Sequence, residues 1–173
     1  HRRPDLAITD IRGNVDTRLR KALEPGGIYD AVVLAAAGLE RLGRLDVVTQ
    51  LLSLDDMLPA PGQAALAAQC RDEAESRALL EPVNDSATAI AVTAERAFLA
   101  GLGGGCSLPI AAYATVEDDG LWLHGRVTAP DGTEQIDVHR SGAATVVDAR
   151  AVGNDLAREA LDRGVKRLLE LIA

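Results

Sequence analysis

Three consecutive glycines, Gly103-Gly104-Gly105, stand between a helical repeat and a run of strand signals, and no other feature constrains the fold of this chain as much. Without Cβ atoms the backbone there can take positive φ and turn sharply. Upstream, Ser86 to Ala100 places Ile90, Ala94, Ala97 and Phe98 at helical spacing. Downstream, Ile110–Val116, Leu121–Ala129 and Thr133–Ser141 read as strands, divided by the turn signals Asp118-Asp119-Gly120 and Pro130-Asp131-Gly132. Val147 to Ile172 reads as one long helix, broken or strained near Gly153-Asn154 and Gly164. Helices on a three-stranded antiparallel sheet make an α+β unit.

The glycines lead into Cys106. Two readings of that thiol are open from the loop alone. Either the glycines end the helix and Cys106 is a small buried apolar residue, or a loop held between rigid elements presents a reactive group with space around it.

Composition narrows the functions such a thiol could serve. Aromatic residues make up only 2% of the 173, so the core must come from many small contacts between Ala, Leu and Val, and little remains for stacking on bases. A net charge of −8 argues against nucleic acid or an anionic membrane as partner. No apolar run approaches the roughly 18 residues of a membrane span, and no secretory signal opens the chain. A cytoplasmic protein is expected. Two cysteines, Cys70 and Cys106, make one disulfide conceivable but no disulfide framework. His1, His124 and His139 are scattered in sequence, so no metal site is expected.

The charge is unevenly spread. Residues 1–44 carry eight Lys/Arg against six Asp/Glu, a basic front on an acidic chain. There, Asp5–Thr9 predicts a short strand, Val15–Leu23 a helix stopped by Pro25-Gly26-Gly27, Tyr29–Ala35 a strand covered on both faces, and Ala36–Leu42 a second helix. That order predicts a βαβ-type α/β unit with parallel strands, which place ligands at their carboxyl ends. Arg12 follows the first strand, and Arg18 lies six residues on. By charge pattern alone these arginines are a solvated face. Ala64–Cys70 is either a buried strand or a hinge crossing between domains, with Cys70 expected to pack within it. Asp72–Leu80 predicts a helix capped by Asp72, with Glu75 at the capping-box distance. Because the sequence begins at His1 and runs straight into Arg-Arg-Pro, further sequence upstream is expected.

A set of short motifs then occurs in a specific order: Arg2-Arg3-Pro4, Ile11-Arg12-Gly13-Asn14-Val15 with Thr17-Arg18-Leu19, Ala37-Gly38-Leu39 with Arg41-Leu42-Gly43, Pro59-Ala60-Pro61-Gly62-Gln63, Cys70-Arg71, Thr93-Ala94-Glu95-Arg96, and Gly104-Gly105-Cys106 with Pro109. In this the chain resembles the porphobilinogen deaminase (hydroxymethylbilane synthase) family over essentially its whole length, as the second half of a three-domain enzyme. The resemblance implies that residues 1–57 are part of an α/β domain of periplasmic-binding-protein-like type. Residues 58–84 would cross toward the absent N-terminal domain, and residues 85–173 would form the α+β domain carrying the cofactor cysteine. A cytoplasmic monomer of tetrapyrrole (haem) biosynthesis is implied.

The resemblance gives Cys106 a dipyrromethane cofactor in thioether linkage. Porphobilinogen units would be added to it, each losing ammonia to give an azafulvene that the free α-carbon of the terminal pyrrole attacks; water finally releases hydroxymethylbilane. Every pyrrole carries an acetate and a propionate, so the growing polypyrrole is a polyanion that suits the bidentate fork of arginine. Arg2, Arg3, Arg12 and Arg18 match the family's cofactor-binding arginines, and Arg12, Arg18 and Arg41 its substrate-binding ones. The family's catalytic aspartate belongs to the N-terminal half, which leaves no catalytic residue in this chain. Arg20, Lys21 and Arg44 read as surface residues. Gly103, Pro61, Ala64 and Ser107-Leu108 depart from the usual pattern, Ala64 standing where glycine is common. Two other functions are consistent with the residues: a non-catalytic polyanion-binding regulatory module, or a thiol-dependent enzyme using Cys106 as nucleophile.

Overall fold

The computed structural model describes residues 1–105, 108–118 and 120–170. They fall into two compact units, one of Arg3–Ser53 and one of His1–Arg2 with Leu54–Ala173.

In the smaller unit the two expected helices form, α1 (Val15–Leu23) and α2 (Ala36–Arg41). Asn14 caps α1 by accepting the Thr17 N–H at 2.9 Å. Asp16 in its first turn and Arg20 and Lys21 in its last complement the helix dipole. Leu19 and Leu39 are its buried residues.

The expected strands of this unit are not formed. No strand occurs among the described residues before Ile110, so the βαβ sheet, and with it the periplasmic-binding-protein-like arrangement, is not seen in residues 1–57. A strand exists only as a partner in a ladder, and neither 5–9 nor 29–35 has one. Their apolar side chains are correspondingly uncovered, with Ile8 87%, Ile28 86% and Val33 62% exposed.

The larger unit begins with irregular chain and α3 (Ala74–Leu80). Asp72 does not cap this helix. Glu73 holds the cap position without a side-chain bond, while Asp72 pairs with Arg77 at 2.9 Å. Residues 64–70 form no strand, and within this chain Leu66 is 84% exposed and Cys70 is on the surface.

From α4 (Ser86–Gly101) onward the order is β1 (Ile110–Glu117), β2 (Gly120–Thr128), β3 (Gln135–Ala143), α5 (Val146–Asp162) and α6 (Val165–Glu170). The sheet is antiparallel in the order β1-β2-β3. The strands follow the predicted alternation: Ala112 and Ala114 of β1, Leu121, Leu123 and Val127 of β2, and Ile136 and Val138 of β3 are buried in one core with residues of α4, α5 and α6. The chain's single Phe, Phe98, lies against Gly125, where a Cβ would come 2.5 Å from the ring. The long C-terminal helix breaks at Gly164 (φ +93°), as expected, and runs unbroken through Gly153-Asn154. Gly153 is a contact and not a breaker: a Cβ there would sit 2.3 Å from the Ala94 carbonyl oxygen, so its absence lets α5 close on α4. Residues 171–173, the end of the expected helix, lie outside the described residues, as does Asp119 of the β1–β2 turn.

One carboxylate ties three elements together. Glu95, on α4 and 6% exposed, accepts the Gly62 N–H at 2.6 Å through one oxygen and the Ala114 N–H of β1 at 2.8 Å through the other. Alongside, the Ala112 N–H donates to the Pro59 carbonyl at 3.0 Å. The edge of β1 away from β2 is therefore capped by the 59–63 turn and a helix side chain. Burial raises the pKa of Glu95, opposed by the N–H groups of Gly62 and Ala114.

Replacing Glu95 by Ala strands both N–H groups, and urea unfolding should show a loss of about 1–3 kcal/mol for each. Because the folded-state pKa is raised, the folded chain holds this proton longer than the unfolded one. The contribution is complete below the ordinary carboxyl range and lost as pH rises through the raised value. The stability advantage of wild type over Glu95→Gln should thus shrink with rising pH across that window; an advantage that grows with pH would refute the assignment.

Candidate functional site

The end of α4 shows why three glycines precede Cys106. Gly103 N–H bonds to the Ala100 carbonyl at 2.9 Å and Gly104 N–H to the Leu99 carbonyl at 3.0 Å, the pair of bonds of a Schellman cap. Each glycine has a different reason. Gly103 takes φ +70°; Gly104 lies under Leu99 and Ile110, whose side-chain carbons would be 2.6 and 2.9 Å from a Cβ; Gly105 has open space where its Cβ would be. Cys106 and Ser107 themselves lie outside the described residues.

The front arginines differ in what they already hold. Arg3 forks onto Asp5, with Nε to Oδ1 at 2.7 Å and the second nitrogen to Oδ2 at 2.5 Å, and this hydrogen bonding lowers the exposed Asp5 carboxyl to about 2. Arg2 pairs with Asp56 at 2.8 Å. Arg12 precedes α1, so it and Arg18 do not share a helical face. Arg18 folds back to donate from Nε to the Gly13 carbonyl at 2.7 Å, beside Arg12, whose own carbonyl accepts from Lys21 at 3.1 Å. Arg12 and Arg41 are exposed and their guanidinium groups have no partner among the described residues.

None of these five lines the concavity found in the smaller unit. That cavity, about 770 Å³, is lined instead by Arg20, Lys21 and Arg44 with Asp16, Glu24 and Leu19. By sequence pattern alone these three cations are surface residues. Their signal was present, since Arg20 and Lys21 lie in the last turn of α1 and Arg44 follows α2, but it became visible only once the two helices were adjacent.

Two of the three scattered histidines are also brought together, by strand register. His124 pairs across the sheet with His139, and the rings stack at 4.0 Å. His124 Nε2 lies 2.6 Å from Asp137, which also accepts from Arg126 at 2.7 Å and from Gln135 at 2.7 Å. Burial alone would raise Asp137, but these three hydrogen bonds and the Arg126 charge carry it below the usual carboxylate range. Among the described residues there is no group of three metal-ligating side chains.

Residues 1–78 match the family profile described as "Porphobilinogen deaminase, dipyromethane cofactor binding domain", and residues 89–162 match "Porphobilinogen deaminase, C-terminal domain". Relatives named porphobilinogen deaminase, from Roseiflexus castenholzii and from Roseiflexus sp. strain RS-1, are 50% and 48% identical over 168 residues, 96% of this chain. The chain belongs to the porphobilinogen deaminase family. It spans about half the length of these relatives, 54% of each. The C-terminal profile covers α4 from Ala89 on, the glycine cap and all three strands, so the elements that lead to Cys106 are those of the family. Among the described residues no helix is long and apolar enough to cross a membrane.

One of the departures from the resembled pattern lies at a strained position. Ala64 has φ +73°, a left-handed conformation disfavoured by a Cβ. Ala64→Gly should raise stability by about 0.5–1 kcal/mol, the relief of left-handed strain outweighing the added freedom of the unfolded chain. Chemical denaturation will show this as a higher midpoint at unchanged slope.

Proposed function

We propose that this chain is the part of a porphobilinogen deaminase that anchors the primer and grips the growing product. The reaction joins four porphobilinogen molecules head to tail with loss of ammonia at each addition, and water releases hydroxymethylbilane. The dipyrromethane group, bound as a thioether of Cys106, supplies the α-carbon from which the chain grows. The remaining half of the relatives' length would supply the catalytic aspartate, and would complete the sheet that residues 5–9 and 29–35 cannot form alone.

The residues present fit such a group. The observation that carries the reading is the approach to Cys106: a helix end fixed by a Schellman cap, then Gly105 with open space about it, in a chain matched along 96% of its length by porphobilinogen deaminases. An anchor of this kind is rigid on its helix side and clear on the other, which suits a substituent that lengthens. Arg12 and Arg41 have guanidinium groups without partners among the described residues, and Arg18 is held at the start of α1. We assign Arg12 and Arg18 to the carboxylates of cofactor and substrate, Arg2 and Arg3 to those of the cofactor, and Arg41 to those of the substrate. Arg2 and Arg3 would have to exchange Asp56 and Asp5 for the ligand. By their charge they neutralise acetate and propionate; by their fork they fix ring orientation.

Peptide mass spectrometry of the full-length holoenzyme should place the adduct on Cys106, and Cys106→Ser should abolish turnover; an unmodified Cys106 in an active preparation refutes the assignment. Cys70→Ser should leave attachment intact. Arg12→Leu should block cofactor assembly or elongation with little change in melting temperature, since each charged hydrogen bond lost to a ligand group is worth about 1.5–3 kcal/mol. Arg18→Leu should do the same with a small stability cost from the vacated Gly13 carbonyl. Normal elongation in all five arginine variants would reduce the basic front to a solvated surface.

A further inference from the structure

We infer that the groove between α4 and α5 is a binding site for a phosphate group, carried by Arg96 and Arg150. Between residues 54 and 170, every other lysine and arginine among the described residues pairs with a carboxylate or donates to a backbone carbonyl. The two that do not are the two that line one groove, of about 380 Å³, together with Thr93, Ala97, Ala100 and Asn154. Two unpaired cations lining one groove give it a local positive potential on a chain of net charge −8.

The helices build the groove. Thr93, Arg96, Ala97 and Ala100 stand at spacings of three, four and seven on α4, and Arg150 and Asn154 four apart on α5, so each set shares one face. The helix axes approach closely because Gly153 lies on Ala94 and Ala97, and Gly101 on Ala157, where a Cβ would come within 2.5 Å of its neighbour. Alanines 97 and 100 then leave room between the longer side chains of the rim. Of the acidic groups of the same helices, Glu95 is engaged at the β1 edge, Asp148 with Thr145, and Asp155 and Glu159 with Arg140, while Asp162 stands at the far end of α5 from Arg150. Arg96 lies beside the 59–63 turn, its Nε 3.8 Å from the position a Cβ would take on Gly62, the residue held by Glu95.

Two guanidinium forks present more donors than one carboxylate has oxygens to accept, whereas a tetrahedral phosphate dianion can share its oxygens between both, and the Asn154 amide adds a further donor. Free phosphate and a phosphate monoester offer the same group, and the groove is open enough for either.

The test is calorimetric titration of the intact protein with inorganic phosphate, then with glycerol 3-phosphate and with succinate, at constant ionic strength. Saturable binding of phosphate is expected, weakened about tenfold or more by Arg96→Gln and by Arg150→Gln. It should be largely unrestored by Arg96→Lys, which keeps the charge and loses the fork. Arg158→Gln, which removes an exposed α5 arginine already paired with Asp155, should bind as wild type. The Nε–H signals of Arg96 and Arg150 in a nitrogen-15 spectrum should shift on titration. Tighter binding of glycerol 3-phosphate than of phosphate would identify a monoester site, and the reverse a free-phosphate site. No saturable binding, equal binding of succinate, or equal weakening in Arg158→Gln would each overturn the proposal. Melting temperatures in phosphate-free buffer guard against loss of fold, since both arginines are exposed.

Discussion

The Glu95 carboxylate is the joint on which the larger unit depends. A three-stranded sheet has two edges, and an open edge is both unsatisfied and prone to pair with other chains. On β1 that edge is closed by the Pro59 carbonyl and by Glu95, whose second oxygen holds the turn that supplies Pro59. A buried carboxylate is costly unless its hydrogen-bonding capacity is met, and here two backbone N–H groups meet it. The cost is partly retained, since burial still raises the pKa of Glu95. What it secures is position: the helix that ends at the glycine cap, the strand that follows it and the turn before it are fixed to one another through a single side chain.

Small residues do the remaining work on α4. With one Phe in the chain, the core cannot gain its area from rings, and it gains density through close approach instead. Phe98 fills the space over Gly125, Gly153 admits the α4 backbone, and Gly101 admits Ala157. These contacts leave little freedom in how α4 sits, which is the property the proposed attachment of a cofactor after its glycine cap would require. The same closeness produces the α4–α5 groove. Tight helix packing and an exposed concave rim have one cause.

The C-terminal unit was legible because its signals are local. Alternating strands, a Pro-Asp-Gly turn and a helical stripe ending in glycines carry their own geometry, and the sheet formed within two residues of the expected bounds. Residues 5–9 and 29–35 were read equally well as strand-like sequence, yet strand formation is decided by a neighbour that local pattern cannot supply. Asp72 looked like a cap because its residue type suits one, and lost the position to Glu73 once it paired with Arg77. His124 and His139 are fifteen residues apart and became neighbours through register alone. Glu95 had a signal that went unused: it falls on the same stripe as Ala91, Ala94 and Phe98, and a lone carboxylate on a buried helix face must have partners.

The boundary drawn by family similarity and the boundary drawn by packing are not the same. The cofactor-binding profile runs to residue 78, but the chain from Leu54 onward packs with the C-terminal unit. The bonds explain the difference. Pro59 and Gly62 are tied to β1 and α4, and Arg126 of β2 reaches the Asp55 carbonyl at 3.0 Å, so residues 55–62 are bound at three points to the sheet and its helix. A division after residue 78 would strip the β1 edge and take the Gly62 N–H from Glu95, leaving it only that of Ala114, whereas a division between Ser53 and Leu54 breaks none of these bonds. The segment that sequence likeness gives to the cofactor-binding domain is therefore, in its physical chemistry, part of the unit that carries Cys106, and any displacement of that unit takes the 59–63 turn with it.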